Sequence, residues 1–112
     1  MTWDDAVAHA LTLPGAAMST SYGQPAVKVN GNGFLGVGHE RDTSFGLRLD
    51  HGTIDMMMDV YPETFWKTPH YEGYAAVLVR YDSKHDDVIR DMIARAHAIA
   101  AAKPPPRKRK RA

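Results

Sequence analysis

The chain has 112 residues, 44% of them hydrophobic and 24% charged, with a formal net charge of +1 and no cysteine. That is enough for one domain, which would bury roughly 60–70% of the surface its unfolded chain exposes, and the composition excludes chain-long disorder, a collagen-like repeat and a membrane bundle. Without cysteine there are no disulfides, thiol nucleophiles, zinc ribbons or iron–sulfur clusters, and a reducing compartment fits.

The first residues, Met1-Thr2-Trp3-Asp4-Asp5, are acidic and have neither the basic nor the apolar stretch of a secretion signal. No apolar run approaches the roughly 20 residues of a membrane span, so a soluble cytoplasmic protein without a membrane partner is expected. Thr2 followed by Asp5 has the form of a capping box, and Trp3, Ala6, Val7, Ala10 and Leu11 recur at helical spacing until Pro14-Gly15 ends the pattern. A strand is predicted at 26–29. The Asn30-Gly31-Asn32-Gly33 turn has hairpin chemistry, because Asn and Gly tolerate positive φ, and a second strand returns at 34–37. After a turn at 39–42, a third strand is predicted at 44–49, where Phe45, Leu47 and Leu49 alternate with Gly46, Arg48 and Asp50.

Thr53 is a candidate cap for a second helix, in which Ile54, Met57, Met58 and Tyr61 keep helical spacing up to Pro62. A short strand is expected near 65–67 and a longer one at 76–81. Ser83 with Asp86 repeats the capping-box pattern before a closing helix with the stripe Val88, Ile89, Met92, Ile93, Ala96, Ile99 and Ala100. The order α-β-β-β-α-(β)-β-α, joined by hairpins rather than crossovers, predicts an α+β fold. Its sheet is mostly antiparallel, with helices on one face and the other face at least partly wet.

The last residues differ in composition. Lys103-Pro104-Pro105-Pro106 precedes Arg107, Lys108, Arg109, Lys110 and Arg111. Residues 103–111 hold six of the 14 basic side chains, so residues 1–102 keep eight basic against 13 acidic ones, a net of −5. The folded domain is expected over 1–102, with 103–112 a disordered proline-rich basic tail, because prolines extend the chain and consecutive like charges repel. Such a tail is either a phosphate-binding arm or a solubilising segment.

Gly31-Asn32-Gly33-Phe34-Leu35-Gly36 spells G-x-G-x-x-G, but strand-like residues follow it where a dinucleotide site needs a helix, so it reads as a tight hairpin. Six histidines (His9, His39, His51, His70, His85, His97) show no helical i+3 or i+4 pairing and no H-E-x-x-H, and they read as loop or surface residues. Met57 and Met58 read as core. Asp4-Asp5 and Asp86-Asp87 sit in first turns of helices, where acids complement the dipole. No serine lies in a nucleophile elbow. No catalytic residue, metal ligand or cofactor is assigned, and the chain is read as non-enzymatic.

Two aromatic, turn-rich segments stand out: Leu13-Pro14-Gly15 with Ser21-Tyr22-Gly23-Gln24-Pro25, and Thr68-Pro69-His70-Tyr71-Glu72-Gly73-Tyr74. Their tyrosines can stack bases or anchor loops. Trp66, Tyr71 and Tyr74 are expected to be mostly buried anchors, with His70 partly exposed. Strand alternation places Lys28, Arg48 and Arg80 on the face away from the helices, beside Asp50 and Asp82.

Those segments carry a resemblance. L-P-G at 13–15, S-Y-G-x-P-x-x-K-V at 21–29, F-W-K-T-P-H-Y-x-G-Y at 65–74 and V-L-V-R at 77–80 resemble the MmcQ/YjbR family of small, mostly bacterial proteins, over about residues 1–102. The resemblance implies a YjbR-like α-β(3)-α-β(2)-α arrangement. It also implies DNA binding, since the family's sheet is likened to a "double wing" motif of a phage transcription factor. This chain departs from the pattern at Asn32 and Gly33, where relatives often have a lysine in the hairpin turn, and in its tail. The expected interface is Lys28, Arg48, Arg80, Lys67 and His70, with Lys103, Arg107, Lys108, Arg109, Lys110 and Arg111 of the tail, making largely non-specific DNA contacts. The alternative is a protein-interaction module using the sheet face and the 66–74 loop.

Overall fold

In the computed structural model, which describes residues 1–38 and 40–106, the predicted capping box opens the first helix. The Asp5 N–H donates to Thr2 Oγ1 at 3.2 Å, and the Thr2 N–H donates to the Asp5 carboxylate at 3.0 Å. Two donors left free at the start of α1 (Trp3–Ala10) are thereby satisfied. The chain continues through β1 (Ala17–Ser21), β2 (Gln24–Val29), β3 (Asn32–Gly36), β4 (Ser44–Arg48), α2 (His51–Val60), β5 (Phe65–Trp66), a 3-10 turn at Pro69–Tyr71, β6 (Ala76–Arg80) and α3 (Asp86–Ala102). All six strands form one sheet in the order β1-β2-β3-β4-β6-β5, antiparallel at every pairing. The fold is the predicted α+β class.

The predicted order lacked one strand. Residues 17–21 read Ala-Met-Ser-Thr-Ser, with little β-propensity and only Met18 apolar and large. They pair with β2 from Ala17↔Lys28 to Ser21↔Gln24 because the two-residue turn between them fixes the register. Two expected caps also differ. Asp50, not Thr53, caps α2, accepting from the Thr53 N–H at 3.1 Å and from the Thr53 hydroxyl at 2.8 Å. The cap of α3 is His85, which makes no side-chain cap bond; Ser83 instead accepts from the His85 N–H and pairs with the Thr64 hydroxyl.

The helix side of the sheet is apolar. Val27, Phe45, Leu47, Leu49, Val77 and Val79 alternate along their strands into a core shared with Ala6, Ile54, Ile89 and Ile93 of the helices. β3 breaks the alternation. Its register with β2 passes from Lys28↔Gly33 to Val27↔Leu35, leaving Phe34 as an extra residue in a bulge. The bulge turns both Phe34 and Leu35 into the core, with Phe34 edge-on to the His97 ring of α3 at 5.5 Å.

The hairpin between β2 and β3 has its two-residue turn at Asn30 (φ 54) and Gly31 (φ 77), so Asn32 and Gly33, expected in the turn, begin β3. Its asparagines reach the far end of α3. Asn32 Nδ2 donates to the carbonyls of Ala100 at 3.1 Å and Pro104 at 3.2 Å, and Asn30 Nδ2 to that of Lys103 at 2.8 Å. The hairpin thereby holds the chain as it leaves α3, and Asn32 adds a second bond to the Ala100 carbonyl, which already accepts from the Lys103 N–H. Residues 103–106 accordingly begin the tail against the hairpin, with Pro106 beside Gly31. No helix among the described residues is long and apolar enough to cross a membrane.

Candidate functional site

On the face away from the helices, the sheet register aligns Ala26, Gly36, Gly46 and Leu78 in a row across four strands. Two of the four lack side chains, so the middle of this face is sunken. The β5–β6 end of the row is covered. Leu78 is fully buried, and Trp66 is its cross-strand neighbour. Trp66 Nε1 donates to the buried Ser44 hydroxyl at 2.9 Å. The Tyr71 hydroxyl lies so close to Gly38 that any side chain there would have to displace it. The anchoring expected of Trp66 and Tyr71 is therefore observed. Tyr74 is a correction: its ring is 64% exposed, because Gly73 at φ +82 turns the chain outward before β6 begins.

The uncovered part is a groove of about 750 Å³. Ala26, Gly36, Gly46 and Ala76 line its floor. Tyr22 stands on one rim, at the β1–β2 turn, and Tyr71, Tyr74 and His70 line the other. Arg41 and Arg48 are the charged side chains among its described lining residues, and no carboxylate is among them. Tyr22 is 98% exposed.

The predicted cations are only partly brought together. Lys28 and Arg48 occupy the same end of the sheet on β2 and β4. They flank Gly33 of β3, over which the Lys28 side chain lies. Two strand spacings put their backbones about 10 Å apart. Arg80 is at the opposite end of β6, stacked on the Trp66 ring at 4.3 Å, and is committed to holding that loop. Lys67 is half-buried after β5 and does not line the groove, whereas His70 does, edge-on to Tyr71. Asp50, expected on this face, is turned to the helices, where Arg95 of α3 pairs with it at 3.2 Å. Lys103 is exposed at the end of α3, beside the hairpin that carries Lys28. Arg107, Lys108, Arg109, Lys110 and Arg111 lie outside the described residues.

Sequence reasoning missed Arg41 and the rim position of Tyr22. Arg41 sits in a loop without periodicity. Tyr22 is named from sequence only among tyrosines able to stack bases or anchor loops; the signal that would single it out is a large aromatic where a two-residue hairpin favours Asn, Asp or Gly. Among the described residues no group of three or more His, Asp or Glu could hold a metal ion. His97 and His85 have structural partners, the Pro14 carbonyl at 2.7 Å and Glu63 at 2.9 Å.

The model of the YjbR family matches residues 11–99. The chain belongs to the YjbR family. No curated protein and no solved structure matches the chain significantly. For this YjbR protein the match spans β1 through most of α3, and so takes in the whole groove.

Proposed function

We propose that this YjbR protein is a non-enzymatic nucleic-acid-binding domain that receives DNA on the sheet face and holds it further with the basic tail. The observation that carries this reading is the charge of the groove. In a domain of net −5, the described residues lining it include two arginines, a histidine and three tyrosines but no carboxylate. Lys28 and Arg48 share one end of the face, and the tail departs from α3 at that same end, where Asn30 and Asn32 hold residues 103 and 104. Phosphate contacts from such groups position a nucleic acid without reading its bases, so sequence selectivity is weak.

The test is binding to duplex and single-stranded oligonucleotides across a salt series. It compares the full chain, a chain ending at Pro106, and the Lys28→Gln/Arg48→Gln pair. Ending at Pro106 preserves the bonds from Asn30 and Asn32. Losing the tail removes most of the affinity and flattens the salt dependence; the double variant removes a smaller share. Salt-independent binding, or none, refutes the reading. A second reading, a protein-interaction module, is favoured by the exposure of Tyr22 and Tyr74. An apolar interface of that kind keeps its affinity as salt rises.

A further inference from the structure

We infer that the groove takes the unpaired bases of single-stranded DNA, with Tyr22 and Tyr74 as stacking platforms and Arg41 and Arg48 as phosphate contacts. This rests on the nucleic-acid reading above and narrows it. Three observations lead there. The first is Tyr22 itself. Its φ is +52 and that of Gly23 is +78, so a bulky ring holds the left-handed position of a tight turn. The ring is almost wholly in solvent, so burial returns nothing for that strain. Asparagine or glycine would serve the turn better. What an aromatic adds at this position is a flat apolar face offered outward, at the rim of the groove.

The second is the composition of the site. Duplex binding is driven by phosphate neutralisation and needs many cations. Among the described lining residues the arginines are two, Arg41 and Arg48, beside three tyrosines. Stacking dominates where bases are free, because every base has a π-face. In a duplex the bases are already stacked on one another and present only their edges.

The third is shape. A groove of about 750 Å³ lies in the range of about 300–1,000 Å³ that encloses small molecules. It suits a few nucleotides rather than the side of a double helix. The paired Gly36 and Gly46 leave the floor bare, so a flat ring can approach the backbone between the tyrosine rims.

The test uses the full chain with Arg107, Lys108, Arg109, Lys110 and Arg111 each replaced by glutamine, which silences the tail. A fluorescent oligothymidylate and a duplex of equal nucleotide count are the probes. The single strand binds more tightly than the duplex. Tyr22→Asn and Tyr74→Ala each weaken single-strand binding by about tenfold, the scale of one lost base stack. Tyr22→Asn keeps or raises the melting temperature, which separates lost binding from lost folding. Equal or tighter duplex binding, or a Tyr22→Asn variant that binds the single strand as before, overturns the inference and leaves the broader reading standing. Binding to neither probe overturns the inference, and with no binding by the full-length natural chain it overturns the broader reading as well.

Discussion

Tyr22 shows how one side chain can work against the fold that carries it. A non-glycine residue in the left-handed region costs roughly 1–2 kcal/mol, and Asn tolerates that region better. Tyr22→Asn is therefore expected to stabilise the protein by about 1 kcal/mol, read as a higher midpoint in thermal or urea unfolding; a lower midpoint would show that the ring makes a stabilising contact. Asp50 works in the opposite sense. Its carboxyl is held below the ordinary 3.8, chiefly by the Thr53 hydroxyl, against the opposing effect of burial, with backbone N–H groups and Arg95 adding to the depression. A carboxyl depressed in the folded state contributes stability that is complete above 3.8 and is lost as pH falls through the lower folded-state value. Asp50→Asn should flatten the acid side of the stability profile and leave its shape near neutral pH unchanged. Melting curves across that range test it.

The strand β3 connects local sequence to the site. Its bulge commits Phe34 and Leu35 to the core, and the next residue, Gly36, falls on the groove floor beside Ala26 and Gly46. A Cβ at Gly36 would meet nothing closer than 3.9 Å, in a backbone conformation open to any residue. Gly36→Ala is expected to be neutral or to stabilise by up to about 1 kcal/mol, since glycine inside a strand is entropically costly. It would also make the groove shallower. Gly38→Ala, two residues on, meets the Tyr71 hydroxyl. It should displace that ring, uncover Leu78, and destabilise by about 1–3 kcal/mol, the usual scale of overpacking. Urea unfolding of the two variants side by side tests this; equal stability would mean that Tyr71 is not a fixed wall. The β2–β3 turn serves structure too, since Asn30 and Asn32 are spent on the carbonyls at the end of α3.

Across the molecule, charge is layered. The helices carry Asp4, Asp5, Asp55, Asp59, Asp86, Asp87 and Asp91 against Arg90 and Arg95, which accounts for the whole net −5 of residues 1–102. The strands and loops are balanced, and the groove is lined by cations. Repulsion of a polyanion by the domain therefore comes from the helix side. Charges further apart than the Debye length of about 8 Å are largely screened at physiological salt. Replacing Asp55 and Asp59 by Asn on α2 raises the net charge by two and should leave DNA affinity almost unchanged. Arg48→Gln lowers it by one and should weaken binding several-fold. If the two sets of variants simply follow net charge, the layered picture is wrong. With all six tail charges on duplex phosphates, log K falls against log salt with a slope of about −5, and with fewer contacts it falls less steeply.

Local patterns were enough for the class of fold and for much of its detail. The capping box at Thr2, the alternation of Phe45, Leu47 and Leu49, and the stripe along α3 are short-range regularities, and burial follows them directly. Sheet-face cations were legible for the same reason, because a period of two sends Lys28 and Arg48 away from the helices. Four features needed the assembled sheet. β1 exists because β2 offers it a ladder, not because Ala-Met-Ser-Thr-Ser prefers to be extended. Arg80 is diverted to Trp66 because β5 and β6 pair at that end of the sheet. Asp50 turns to Arg95, 45 positions away in the chain. The groove is a property of four strands in register: glycines distant in sequence become one floor, and two turns become its rims. Contacts between residues far apart in the chain depend on register and loop path, which no local periodicity encodes.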